Sequence, residues 1–200
     1  MNDALDSILT YYHPLCDINL DNIDPQSKER ICPRPAIKIL TYNIFLRPPP
    51  IKTNENDWKD ERMYEFIKHF PQFDIICLQE MFGTFNSRKH DLIRFAVKSG
   101  FFFFVDTPSP SFLSKYLVDG GLVILSRFPI IESAFIPFKY GVLSDSLAQK
   151  GVLYAKIEIK NTILHLFTTH LQASYFGSTE YHWVKVDLFR MFPTQPESTK

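Results

Sequence analysis

A mixed-sheet α/β layered domain is predicted by three observations. Two stretches of helical period lie early in the chain, six apolar or alternating runs have strand length, and a short polar connection joins the last two runs. The resulting order, β-α-β-α-β-β-β-β, puts helices among the first strands and hairpins among the later ones. That order argues for helices layered on a mixed sheet.

Residues 1–35 are polar, with Asp-rich and Pro-rich stretches, and read as an irregular leader. Residues 36–46 (AIKILTYNIFL) form a β-rich run, ended by Arg47 and three prolines that cannot continue a ladder. From Asp57 the period changes. Trp58, Phe66, Ile67 and Phe70 recur at roughly helical spacing until Pro71 stops the helix. Ile75 to Gln79 is a short strand without an exposed-face alternation, hence one buried on both sides. His90 to Lys98 is a second amphipathic helix, closed by Gly100. The strands Phe101–Val105, Leu122–Ser126, Val152–Ile159 and Ile163–Thr169 follow, the last two joined through Lys160-Asn161-Thr162. The tail, 192–200 (FPTQPESTK), is polar, Pro-bearing and read as disordered, which leaves 36–191 as the domain portion.

Composition narrows the class. Two hundred residues at 45% hydrophobic content suffice for one sizeable core. Lys+Arg (22) balances Asp+Glu (22), so no global field attracts a polyanion. Cys16, Cys32 and Cys77 have no CxxC or His-rich pairing, which argues against a disulfide scaffold or a zinc site, and Cys77 reads as a small buried thiol. The N-terminal MNDALDSILTYYHP has neither the basic nor the long apolar region of a secretory signal. The longest apolar candidate, Gly121 to Phe138, is broken by Arg127, Pro129 and Glu132, short of the ~20 residues a membrane span needs. An intracellular protein, cytoplasmic or peripheral on a membrane, is the expectation.

Three polar residues stand at the ends of apolar strands. Asn43 follows Ile39-Leu40, and a strand-end amide often only satisfies nearby backbone. Glu80 ends the buried run from Asp74, where a carboxylate needs a cation, a metal or several donors. An Asn oxygen and a carboxylate suit Mg²⁺, which takes hard oxygen ligands and keeps much of its water. His170 ends Leu164-His165-Leu166-Phe167-Thr168-Thr169. A lone strand-end His is commonly structural; its functional reading requires the other strand ends to converge on it.

The ordered series TYNI (41–44), LQE (78–80), DGGLVILSRFPI (119–130), KG (150–151) and THLQASY (169–175) resembles the endonuclease/exonuclease/phosphatase superfamily, nearest to its neutral sphingomyelinases. The resemblance runs from about residue 36 to 176. It implies a four-layer α/β/β/α sandwich and a hydrolase for phosphodiesters, with sphingomyelin yielding ceramide and phosphocholine. By the same resemblance Asn43 and Glu80 would hold Mg²⁺, and His170 would stabilise negative charge on the scissile phosphate. Asp145 and Lys150 match the family's Asp…Lys-Gly stretch, where the Lys lies near the phosphate; the alternative for Lys150 is an ordinary solvated lysine. Arg127, in the SRFP turn, is read as a strand cap and is not assigned to the site.

The family completes its site with a late Gly-Asp-x-Asn strand end and an Asp-His pair carrying the general base. No Asp-His dipeptide occurs here, and the sole Asp-x-Asn, Asp17-Ile18-Asn19, lies in the leader. His182 and Asp187 fall in a stretch, Ser178 to Met191, that matches a family helix facing away from the sheet end. The sandwich is therefore expected to be incomplete at its C-terminus, a truncated chain with half the catalytic site. Two alternatives stay open: a nuclease or phosphoinositide phosphatase of the same superfamily, and a non-catalytic fragment or binding module. The Lys/Arg residues do not cluster along a groove-sized run, which disfavours nucleic acid. For a phospholipid substrate, Phe112 to Val118 and Phe135-Ile136-Pro137-Phe138 place apolar residues in apparent loops, either to meet a membrane surface or to pack on the domain.

Overall fold

A computed structural model describes residues 37–49, 51, 57–111, 113–139, 141 and 146–171. The expected leader 1–35, Asp145, the stretch 178–191 and the tail 192–200 lie outside these residues.

Among the described residues seven strands form two sheets, accompanied by two α-helices. In the first, β1 (Ile39–Leu46) pairs in parallel with β2 (Ile75–Met81), and β4 (Val123–Ser126) lies antiparallel to both β2 and β3 (Phe103–Asp106), giving the order β1-β2-β4-β3. The second is an antiparallel meander, β5 (Ile130–Pro137), β6 (Gly151–Ile159) and β7 (Thr162–Thr169). The helices α1 (Lys59–Ile67) and α2 (Arg88–Lys98) supply the crossovers of the first sheet.

β2 shows why its sequence lacks alternation. Every residue from Ile75 to Met81 is buried. Ile76, Leu78 and Met81 pack with Met63, Leu92, Phe70 and Phe101 on the helical side. Ile75 and Cys77 pack with Phe135, Leu153, Ala155 and Ile157 between the sheets. Two cores thus share one strand, and both of its faces must be apolar. The Cys77 thiol is buried as expected. Helix, sheet and sheet account for three layers among the described residues.

The main departure from the sequence expectation is β5. Residues 130–137 carry Glu132, Ser133 and a terminal Pro137, and a register shift between Ile130 and Glu132 breaks their period of two. Pro137 is tolerated because β5 is an edge strand and the proline stands at its end. Phe135 and Ile136 are therefore strand residues, buried with Phe138, and their reading as a loop is corrected. Trp58, placed on the apolar stripe of α1 by spacing, is exposed at its N-cap instead. Phe70, expected to end that helix, begins a separate 3₁₀ turn, Phe70–Gln72. No helix among the described residues is long and apolar enough to cross a membrane.

Candidate active site

β1 and β2 run side by side, and their ends are irregular at the same level. Phe45 and Glu80 have φ of 57° and 56°, left-handed values that cost non-glycine residues on the order of 1–3 kcal/mol each. The register shifts between Asn43 and Leu46. On β2 the turn at Glu80 breaks the alternation, so that Met81 rather than Glu80 joins Ile76 and Leu78 on the helical side. Arg62 of α1 braces the other strand, donating from Nη1 to the Ile44 carbonyl at 2.7 Å and from Nη2 to the Phe45 carbonyl at 3.0 Å.

The turn brings three of the sequence-selected residues together. Asn43 Nδ2 donates to Glu80 Oε1 at 2.9 Å, and Asn43 Oδ1 accepts from the Phe45 amide at 3.0 Å. His170 Nε2 lies 3.6 Å from the same Glu80 Oε1. Glu80 is only 8% exposed, and its other oxygen, Oε2, is buried with no hydrogen bond among the described residues. An uncompensated carboxylate oxygen at that depth is costly, and a cation would relieve it.

Lys150 is buried rather than solvated, and its Nζ donates to the carbonyl of Leu171, the residue after His170, at 3.1 Å. Gly151 explains the Lys-Gly pair: a side chain there would collide with the Ile136 carbonyl and the Phe135 ring, so only glycine lets β6 begin this close to β5. Arg127 stands apart from the site. Its guanidinium donates to the carbonyls of Phe73 at 2.9 Å and Ser99 at 2.7 Å and lies over the Phe101 ring. Asp145 lies outside the described residues.

Two residues that sequence reading did not assign hold this arrangement. Gln79 Nε2 donates to Thr41 Oγ1 and to Thr168 Oγ1, each at 3.1 Å, and so ties β1 and β2 to β7 of the other sheet. Asp119, 0% exposed, accepts from the Gly83 and Thr84 amides at 2.8 and 3.1 Å and from the Gly121 amide at 2.8 Å. Lys89 Nζ lies 3.4 Å from Asp119 and 2.9 Å from Asp106. With Met81 N donating to the Gly121 carbonyl at 2.8 Å, this network fixes the chain just beyond Glu80. Gln79 had a signal in the sequence, a second polar residue at the end of an apolar run; Asp119 had one in its place before Gly120-Gly121 and a buried strand.

The donor set can be tested against a metal. Among the described residues no three His, Cys, Asp or Glu side chains converge as a cage. One carboxylate with an unpaired buried oxygen, beside one amide, fits a hard cation that retains water.

Two stacked sheets with helices on the first define the class: this is the endonuclease/exonuclease/phosphatase fold. Within it the chain has homologues among the sphingomyelinases. A Dictyostelium discoideum sphingomyelinase is 33% identical over 70% of this chain and 52% of its own length. The crystal structure of Streptomyces griseocarneus sphingomyelinase C superimposes with a TM-score of 0.61 and 25% identity, over 72% of this chain and 52% of that one. Staphylococcus aureus beta toxin, solved with bound magnesium ions, gives a TM-score of 0.57 at 23% identity over 73% and 53% of the two chains. The chain spans about half the length of the curated relatives it matches. No protein-family model matches it.

Proposed function

We propose that this chain carries part of a Mg²⁺-dependent phosphodiesterase site of sphingomyelinase type, acting on a phospholipid headgroup. The observation that carries the reading is Glu80: a buried carboxylate, on a strained turn, with one oxygen unpaired and the other shared between Asn43 and His170. Homology to sphingomyelinases and the magnesium bound by staphylococcal beta toxin support it.

Glu80 and Asn43 would hold the cation, Asn43 by turning its amide oxygen toward the site in place of the Nδ2 that now faces Glu80. When bound, Mg²⁺ supplies Lewis-acid polarisation of a phosphoryl oxygen. His170, 3.6 Å from Glu80, would donate a hydrogen bond to a phosphate oxygen as charge develops there. Lys150, tethered to the carbonyl after His170, adds fixed positive charge at the same strand end. Gln79 holds the two sheets in register so that these groups stay aligned. Asp145 is proposed to act with Lys150 on resemblance alone.

The test is release of phosphocholine from sphingomyelin with and without Mg²⁺. Hydrolysis that needs Mg²⁺ and is lost in Glu80→Ala supports the reading. Hydrolysis of plasmid DNA or of a phosphoinositide in its place would move the chain to another branch of the superfamily. Absence of hydrolysis on any phosphodiester, together with activity in a version carrying further C-terminal sequence, would mark this chain as a non-catalytic portion.

A further inference from the structure

We propose that the loop Leu113–Val118, with the adjoining Leu147 and Lys139, is a docking ridge for a phospholipid bilayer; the choice of lipid rests on the function proposed above. Leu113 is 92% exposed, Leu117 58% and Leu147 45%. Leucines at such exposure are unremarkable when scattered, but Leu117 and Leu147 sit on directly joined backbone, with Leu117 N and Val118 N donating to the Leu147 carbonyl at 2.8 and 3.2 Å, and Leu113 belongs to the same loop as Leu117. Lys115 and Lys139 are joined in the same way, through a bond from Lys115 Nζ to the Lys139 carbonyl at 3.4 Å. They are the charged residues among the described parts of 113–118, 138–141 and 146–148; Asp145 falls outside those parts. Apolar side chains interleaved with lysines match a bilayer surface, where leucines enter the acyl boundary and ammonium groups meet phosphate.

The ridge is built rather than loose. Tyr116 OH donates to the Phe138 carbonyl at 3.2 Å, and Gln149 N donates to the Val118 carbonyl at 3.0 Å. It is continuous with the site. Lys150 follows Gln149, and Asp119, next to Val118, anchors the Gly83 and Thr84 amides beyond Glu80. A bilayer seated on the leucines would lie against chain that runs directly into Asp119 and Lys150. Phe135, Ile136 and Phe138 belong to the core and take no part.

The experiment is co-sedimentation of the full chain with vesicles of phosphatidylcholine and sphingomyelin, with and without phosphatidylserine. Leu113→Ser and Leu117→Ser should each weaken partitioning by about tenfold, the loss expected when a largely exposed leucine no longer enters the interface. Lys115→Glu should weaken it by about fivefold or more, and only when phosphatidylserine is present. The changes avoid the core, so circular dichroism should be unaltered. Vesicle binding that is absent, or indifferent to these leucines, overturns the proposal. Self-association lost in the leucine variants, without vesicle binding, would assign the ridge to a second copy and overturn it as well. Leucine-dependent vesicle binding by a chain that binds neither Mn²⁺ nor Mg²⁺ through Glu80 would retain the ridge and remove the proposed function, so the two failures are separable.

Discussion

Gln79 Nε2 and Thr168 Oγ1, eighty-nine residues apart, meet at 3.1 Å in the buried space between the two sheets. The same Nε2 donates to Thr41 Oγ1, so one amide links the strands that carry Asn43, Glu80 and His170. Replacing Gln79 by Leu keeps the volume but leaves both hydroxyls without this donor. Stability should fall by about 1–3 kcal/mol, read by urea unfolding. Thr168→Val should cost less, about 0.5–1.5 kcal/mol. The double mutant should be clearly less destabilised than the sum of the singles, since the two changes remove one shared bond.

Asp119 presents a larger effect. Its carboxylate is fully buried against Lys89 and several amides, and removing it strands a buried ammonium with Asp106 as its remaining acidic partner. Asp119→Ala should cost about 3–5 kcal/mol, or prevent folding where total stability is of that order. Asp119→Asn retains acceptor capacity and should recover part of the loss. Limited proteolysis in the 82–87 segment should report the loosened loop before global unfolding.

How much of this was legible in the sequence follows from what each residue answers to. β2 announced itself because strands buried on both faces leave no alternation, and the two helices because apolar residues recur there at helical spacing. Asn43, Glu80 and His170 were selected as polar residues ending apolar runs, and the structure gathers all three. β5 was not legible: its bulge near Glu132 disrupts the period, and Pro137 imitates a loop until an edge position makes it harmless. The left-handed turns at Phe45 and Glu80 were likewise hidden, since neither residue is one that favours positive φ. Gln79 was passed over because its partner Thr168 is distant in sequence. A three-residue motif cannot reveal which of its members binds and which holds the others in place.

Cys77 gives a prediction in pH. Burial between the sheets pushes its thiol from 9.0 up to about 12. Folding thus favours the protonated thiol, and between those values the unfolded chain loses the proton while the folded one keeps it. The contribution is intact below pH 9 and is lost as pH rises toward 12, with a slope of up to about 1.4 kcal/mol per pH unit. Cys77→Ala should abolish this slope at the expense of a cavity, measured by denaturant unfolding across that pH range. In the native protein the thiol should resist a maleimide at neutral pH and react once denatured.

The central claim is that Asn43 and Glu80 form a hard-cation site at paired strand ends, and it can be tested without turnover. Mn²⁺ binding, followed by water-proton relaxation with Mg²⁺ as competitor, addresses it directly. The account predicts Mn²⁺ binding that Mg²⁺ displaces, that Asn43→Ala weakens and that Glu80→Gln removes while circular dichroism is unchanged. Mn²⁺ binding equal in wild type and Glu80→Gln, or no binding by the folded wild type, would contradict it.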